Sequence, residues 1–207
     1  MATTNPGKLA EFALGPTLWR NPGELADDWD FARLGGVKNL PPCVEDGDSF
    51  AVNAHKKAVH YSQYVSGLVL ADDSGLEVAA LNGAPGIHSA RYAGPAANDA
   101  QNNAKLLQEM NDVPPQIRTA RFVCEVALAR EGKILARFSG VAEGFILPTP
   151  RGHGGFGYDP LFLDPIAGKT FAEMKLEEKM QRSHRGKAVR GLMEWLATGP
   201  GVLGERD

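Results

Sequence analysis

Apolar positions recur along this chain at two spacings, and each spacing predicts a different element. Phe50, Ala54, Ala58 and Tyr61 stand at helical intervals over residues 49–62 and predict a helix with Lys56, Lys57 and His60 elsewhere on its surface. Leu68-Val69-Leu70-Ala71 is a continuous apolar run, and residues 68–72 read as a short strand buried on both faces. Ala104, Leu107 and Met110 mark one side of a further helix. Residues 119–129 and 134–146 read as two long strands joined around Glu131-Gly132, a hairpin. Val189, Leu192, Met193 and Leu196 fall at i, i+3, i+4 and i+7, the buried face of a closing helix for which Ser183 is a good N-cap. At the other end, Asn5-Pro6 predicts a helix start ahead of Leu9, Glu11 and Phe12, because Asn is a favoured cap and Pro is tolerated in the first helical position. The segment from Gly83 to Gly94 holds too much Gly and Pro for regular structure.

Length and charge narrow the classes. The 207 residues fit one large domain or two small lobes, with the 43% hydrophobic and 23% charged content of an ordinary globular protein. A net charge of -3 gives no overall attraction for a nucleic acid, so any charge that binds phosphate has to be local. Cys43 and Cys124 lack the spacing of a zinc or redox motif, and no apolar leader or membrane-spanning run is present. The expectation is a soluble cytoplasmic protein with reduced thiols and no membrane partner.

Chemistry concentrates where the apolar run 68–71 meets Asp72-Asp73-Ser74-Gly75. Adjacent carboxylates at the mouth of a buried strand repel and lose solvation unless a proton or a cation compensates them. Hard oxygen ligands point to magnesium, kept with several waters and completed by the oxygens of a phosphorylated substrate. Alternation along a strand sends Asp72 and Asp73 to opposite faces, hence to different jobs, with Asp72 left either to bind a second metal or to support the loop. The acidic run Glu45-Asp46-Gly47-Asp48 is either a solvated turn capping the next helix or the source of another metal ligand, Glu45.

Anion-binding candidates lie elsewhere. Thr3 to Lys8 places free backbone donors and a lysine at a helix N-terminus, and the alternative is a merely capped surface helix. Arg91 reaches either a phosphate or a carboxylate. Gly152, Gly154 and Gly157 match a dinucleotide fingerprint formally, but Asp159-Pro160 stands where its helix should open. That loop reads instead as one that brings backbone and the Phe156 ring close to a planar ligand, or as simple turns. His184 and Arg185 put basic groups at a helix N-terminus, which calls for a bound anion or a carbonyl acceptor; for Arg182 and Lys187 a solvent-facing basic patch is the alternative. His55, His60, His88 and His153 have no ligand spacing and are assigned structural or solvent roles.

In order along the chain, Thr3-x-Asn5-x-x-Lys8, Ala71-Asp72-Asp73-Ser74-Gly75-Leu76, the segment from Gly83 to Tyr92, Gly154-Gly-Phe-Gly-Tyr-Asp-Pro160 and Ser183-His-Arg-Gly186 resemble the inosine triphosphate pyrophosphatase family. The similarity extends from residue 3 to about residue 197. Each block is weak alone; their order makes the set specific. The resemblance implies an α/β fold, two-lobed around a long mixed sheet with flanking helices and a substrate cleft between the lobes. One such domain would span residues 1–207. It implies magnesium-dependent hydrolysis of ITP, dITP and XTP to the monophosphate and pyrophosphate, by a homodimer. Carried over by position, Thr3, Thr4, Asn5, Pro6, Gly7 and Lys8 would bind triphosphate, Glu45 and Asp73 would hold magnesium, and Asp73 would accept the proton of the attacking water. Ser74, Phe156, Gly157, Tyr158, Asp159, Lys179, His184 and Arg185 would complete the substrate site. Activity on pyrimidine or otherwise modified triphosphates is the alternative within enzymes, and a nucleotide-sensing or RNA-binding module the alternative outside them. One departure stands out: the family's first motif follows a short apolar strand, but only Met1-Ala2 precede Thr3 here, which predicts a looser Asn5 to Lys8 loop.

Overall fold

The computed structural model describes residues 1–19 and 31–198; the parts of the 1–207 domain at 20–30 and 199–207 lie outside the described residues. Along the chain run α1 (Pro6–Ala13), α2 (Gly15–Leu18), α3 (Phe50–Ser62), β1 (Val69–Val78), α4 (Asp99–Glu109), β2 (Thr119–Arg130), β3 (Lys133–Ile146), β4 (Phe162–Asp164), β5 (Lys169–Thr170), α5 (Leu176–Arg182) and α6 (His184–Ala197). The strands form one open sheet in the order β1-β2-β3-β4-β5, and β4 pairs antiparallel with both β3 and β5. The α/β class holds, and the sheet, expected to be mixed, is antiparallel through β3, β4 and β5. Among the described residues no helix is long and apolar enough to cross a membrane.

Local sequence explains the element ends. The Asn5 side chain caps α1 by accepting the Lys8 amide, and Ser49 does the same for α3 through Val52. Glu131 and Gly132 both have positive φ, at 51° and 75°, as the tightest hairpin turn between twisted strands requires. Three expectations change. β1 does not stop at Asp72 but continues to Val78, so both aspartates sit in mid-strand rather than at its mouth. On α4 the buried positions are Asn102 and Leu106, with Met110 at the cap, whereas Ala104 is exposed. Asn102 goes inside because its amide bonds the Ala90 carbonyl and the Ala93 amide. The Gly83 to Gly94 segment, expected to be irregular, contains a 3-10 helix over Gly86–Arg91, and Arg91 is exposed.

Contacts divide the chain into two compact units. The first comprises residues 1–73, 125–140 and 185–207, and the second residues 74–124 and 141–184. In the first, Ala2, Ala54, Ala58, Val69, Ala71, Ala127 and Ala129 form a small-residue core. The predicted face of α6 is buried throughout, each of Val189, Leu192, Met193 and Leu196 contributing about 1.5–3 kcal/mol. Met1 and Ala2 are buried as well; Ala2 donates its amide to Leu70 of β1 at 2.8 Å and Met1 accepts that of Leu34 at 2.9 Å. The segment ahead of Thr3 is therefore tied on both sides despite its shortness. In the second unit Phe122, Phe162 and Phe171 pack with centroids 4.7–5.9 Å apart at the centre of a core that includes Leu76, Leu106 and Leu161. Buried Arg118 binds the carbonyls of Met110, Val113 and Ile146, fastening the end of α4 to β3.

Candidate active site

In the first unit, β1 and three helices bring together a charged cluster. Asp72 is 1% exposed and faces Lys8 Nζ at 2.8 Å and Arg185 Nη2 at 3.6 Å. Arg185, equally buried, also pairs with Glu11 of α1. Burial alone would raise the Asp72 pKa, but Lys8, Arg185 and Lys57 outweigh it and hold the carboxyl well below the usual carboxylate range. Asp72 is thus compensated by cations of the chain itself, an arrangement that suits the supporting role.

Asp73 differs. It is half-buried, and burial is the largest influence on it, raising its pKa; Glu45 adds to the rise, while Lys57, Lys8 and a hydrogen bond from Asn53 reduce it. A carboxylate made more basic by desolvation is suited to take a proton from water. Lys57 connects the acids: its Nζ donates to the Asp72 carbonyl at 3.0 Å and pairs with Glu45 at 2.7 Å. Burial would lower the Lys57 pKa, yet Asp72, Glu45 and Asp73 reverse the sign and raise it. Asn53 accepts the Gly47 amide through Oδ1 at 2.8 Å, leaving its NH2 for Asp73, so one buried amide ties the Glu45 to Asp48 loop to β1.

The Thr3 to Lys8 loop is ordered from within. Thr3 Oγ1 accepts the Asn5 amide at 3.2 Å and Asn5 Oδ1 accepts that of Lys8 at 3.1 Å. Thr4 and Pro6 are exposed, while Asn5 and Gly7 are half-buried, and the first turn of α1 carries no acid. An anion there would meet backbone donors and the positive end of the helix.

Among the described residues no group of three or more His, Cys, Asp or Glu could hold a metal ion. Magnesium does not call for such a group, since it is bound by one or two carboxylates and completed by waters and phosphate. Glu45 and Asp73 are near enough to influence each other electrostatically, and the burial of Asp73 leaves a desolvated oxygen donor that a hard cation would favour.

In the second unit the glycine loop folds onto itself. A side chain at Gly152 or Gly155 would run into Ala172 or the Asp159 carboxylate respectively, so these glycines serve close approach within the chain. Asp159 and Lys179 are both buried and paired at 2.5 Å; Asp159 also accepts the Phe156 amide at 2.9 Å. Lys179 Nζ lies 4.7 Å from the centroid of the half-buried Phe156 ring, a cation-π contact that presents the ring in one place. Gly155→Ala is expected to destabilise the protein by more than about 1–2 kcal/mol, since φ is +70° there and the methyl group displaces Asp159; chemical denaturation measures it. Tyr158 is buried, its hydroxyl donates to the Ser89 carbonyl at 2.8 Å, and burial pushes its pKa up. His184 stacks on Phe122 at 4.6 Å, and Ser74 is half-buried in β1.

Thus Lys8, Glu45, Asp72, Asp73 and Arg185 come together in the first unit, and Phe156, Asp159 and Lys179 in the second. At the helix N-terminus Arg185 meets internal anions, Glu11 and Asp72. Sequence reasoning missed Lys57, Asn53 and Glu11. Lys57 was placed on the outside of α3, yet only 12% of its side chain is exposed. Its position three residues after Ala54, on the flank of the buried stripe, was the available signal.

The Ham1 family pattern matches residues 1–195. The dITP/XTP pyrophosphatase of Syntrophobacter fumaroxidans is 51% identical over 189 residues, 91% of this chain and 77% of that protein. That of Geobacillus kaustophilus is 48% identical, covering 94% of this chain and 91% of its own length. Among solved structures, the Staphylococcus aureus Ham1 protein superposes with a TM-score of 0.81 at 35% identity, over 96% of this chain and 97% of that one. The Mycobacterium abscessus nucleoside-triphosphatase, also titled a dITP/XTP pyrophosphatase, gives a TM-score of 0.66 at 36% identity over 95% and 94% of the two chains. With agreement of this extent in sequence and in fold, the chain belongs to the Ham1 family.

Proposed function

We propose that this chain hydrolyses the deaminated purine nucleoside triphosphates ITP, dITP and XTP to the nucleoside monophosphate and pyrophosphate, with magnesium, acting as a cytoplasmic homodimer. Relatives of about half identity named dITP/XTP pyrophosphatase support the substrate class. The observation that carries the chemistry is the half-buried carboxylate of Asp73, made more basic by desolvation and held by Asn53 beside Glu45 and Lys57. Homodimer and compartment follow the family resemblance.

The reaction is displacement at the α-phosphorus. Asp73 takes a proton from water as the water oxygen bonds to that phosphorus, the bond from phosphorus to the bridging oxygen breaks, and pyrophosphate leaves with the electron pair. Magnesium, held by Glu45 and Asp73, would neutralise phosphoryl oxygens and lower the pKa of water. Lys57 and Lys8 supply fixed positive charge for the growing negative charge, and the amides of the Thr3 to Lys8 loop orient the phosphates. Phe156 offers the stacking face for the purine. A donor from His184 suits the 6-oxo acceptor of hypoxanthine and xanthine and opposes the 6-amino donor of adenine. With its guanidinium engaged by Glu11 and Asp72, Arg185 serves by fixing the acid cluster.

Incubation with ITP and magnesium in 18O-water, read by phosphorus NMR and mass spectrometry, is expected to give pyrophosphate and labelled IMP. IDP with orthophosphate refutes the bond assignment. Equal rates on ITP, XTP, GTP and dUTP refute the substrate class.

A further inference from the structure

We infer that Asp99 and Asn103, on the first turns of α4, are positioning residues for base selection: they hold Gly157 from both sides of its backbone and so set where the neighbouring Phe156 ring stands. The inference rests on the assignment of Phe156 as the purine-stacking surface. The Gly157 amide donates to Asp99 Oδ2 at 2.6 Å, and the Gly157 carbonyl accepts from Asn103 Nδ2 at 2.9 Å. Neither side chain is required to close the helix, because Asn98 and Gln101 already form its capping box.

The helix is a firm anchor for this contact. Asn102 binds the Ala90 carbonyl and the Ala93 amide, and Leu106 and Met110 are fully buried in the core. Gly157, by contrast, has a φ of +61° and nothing within 4 Å of where a Cβ would lie, so no packing on that side holds it. Hydrogen bonds do. On the other flank the Phe156 amide is taken by Asp159 and the ring lies beneath Lys179. The ring is therefore suspended between an α4 anchor and the Asp159–Lys179 pair. Because an ionised carboxylate accepts the Gly157 amide, that bond is the stronger of the two. A stacking surface held ready before the ligand arrives improves affinity by removing the cost of ordering it.

Asp99→Ala and Asn103→Ala are each expected to raise KM for ITP about 5- to 10-fold with kcat within about twofold, and to lower the preference for ITP over ATP. Asp99→Asn keeps an acceptor oxygen and is expected to restore KM to within about twofold, while Asn103→Asp sets a carboxylate against the Gly157 carbonyl and is at least as damaging as alanine. Hydrogen exchange at the Gly157 amide of the ligand-free protein is expected to quicken about tenfold in Asp99→Ala. Parental KM and selectivity in both alanine variants, or losses confined to kcat, overturn the inference. Unchanged Gly157 exchange also overturns it, whichever nucleotide is hydrolysed. A parent protein inactive on ITP, with exchange altered as stated, refutes the assigned activity instead and leaves the backbone clamp standing.

Discussion

Asp73→Asn is expected to lower kcat on ITP by about 10²–10⁴-fold with KM little changed, the loss associated with removing a positioned general base. The replacement keeps shape and one acceptor oxygen, so the hydrogen bond from Asn53 survives. What disappears is the ability to take a proton. The pH dependence follows the same reasoning. A base works only when deprotonated, so kcat/KM of the parent falls as pH drops through the Asp73 pKa. Burial raises that pKa, which places the acid limb above the ordinary aspartate value of about 3.9. The limb should vanish in the variant. Single-turnover and steady-state assays against pH check both statements, and a variant with more than about a tenth of parental kcat removes Asp73 from the role.

Arg185→Ala has the largest expected effect on folding, a loss of about 3–5 kcal/mol, because it removes a buried partner and leaves charge behind. Glu11 loses a bonded cation and Asp72 one of the cations that hold it ionised. Arg185→Lys should recover only part, since an ammonium on a flexible stem does not reproduce a fork that serves Glu11 with one nitrogen and Asp72 with the other. The sign against pH is fixed by Asp72. Its folded pKa is depressed, so its stabilisation is complete above the unfolded value of about 3.9 and is lost as pH falls below it toward the folded value. Urea titrations at neutral and acid pH measure the effect; an unfolding midpoint unchanged in Arg185→Ala counts against the cluster as a folding element.

Local signals in the sequence carried far. Asn5-Pro6 starts a helix where expected, the helix read over residues 49–62 forms, Glu131-Gly132 turns the hairpin, and the α6 stripe from Val189 to Leu196 is buried throughout. Each depends on residues a few positions apart. The different fates of Asp72 and Asp73 were also legible, since alternation along a strand needs no tertiary knowledge. Contacts between distant segments were not. Glu11 and Arg185 are 174 positions apart, and nothing in either neighbourhood names the other. Lys57 turns inward because the Asp72 carbonyl and the Glu45 carboxylate draw it there, a tertiary pull that overrides its polarity. The extension of β1 through two aspartates to Val78 has the same origin: cations from α1, α3 and α6 make acids tolerable inside a strand.

The wide separation of the Glu11–Arg185 pair also bears on how the protein is made. Translation delivers Glu11 and Asp72 early and their shared guanidinium near the end, after the chain has passed four times between the two units. A nascent polypeptide still on the ribosome thus holds carboxylates that are safer in water than inside a core. The guanidinium that Glu11 and Asp72 share becomes available to them only when residue 185 has emerged from the exit tunnel.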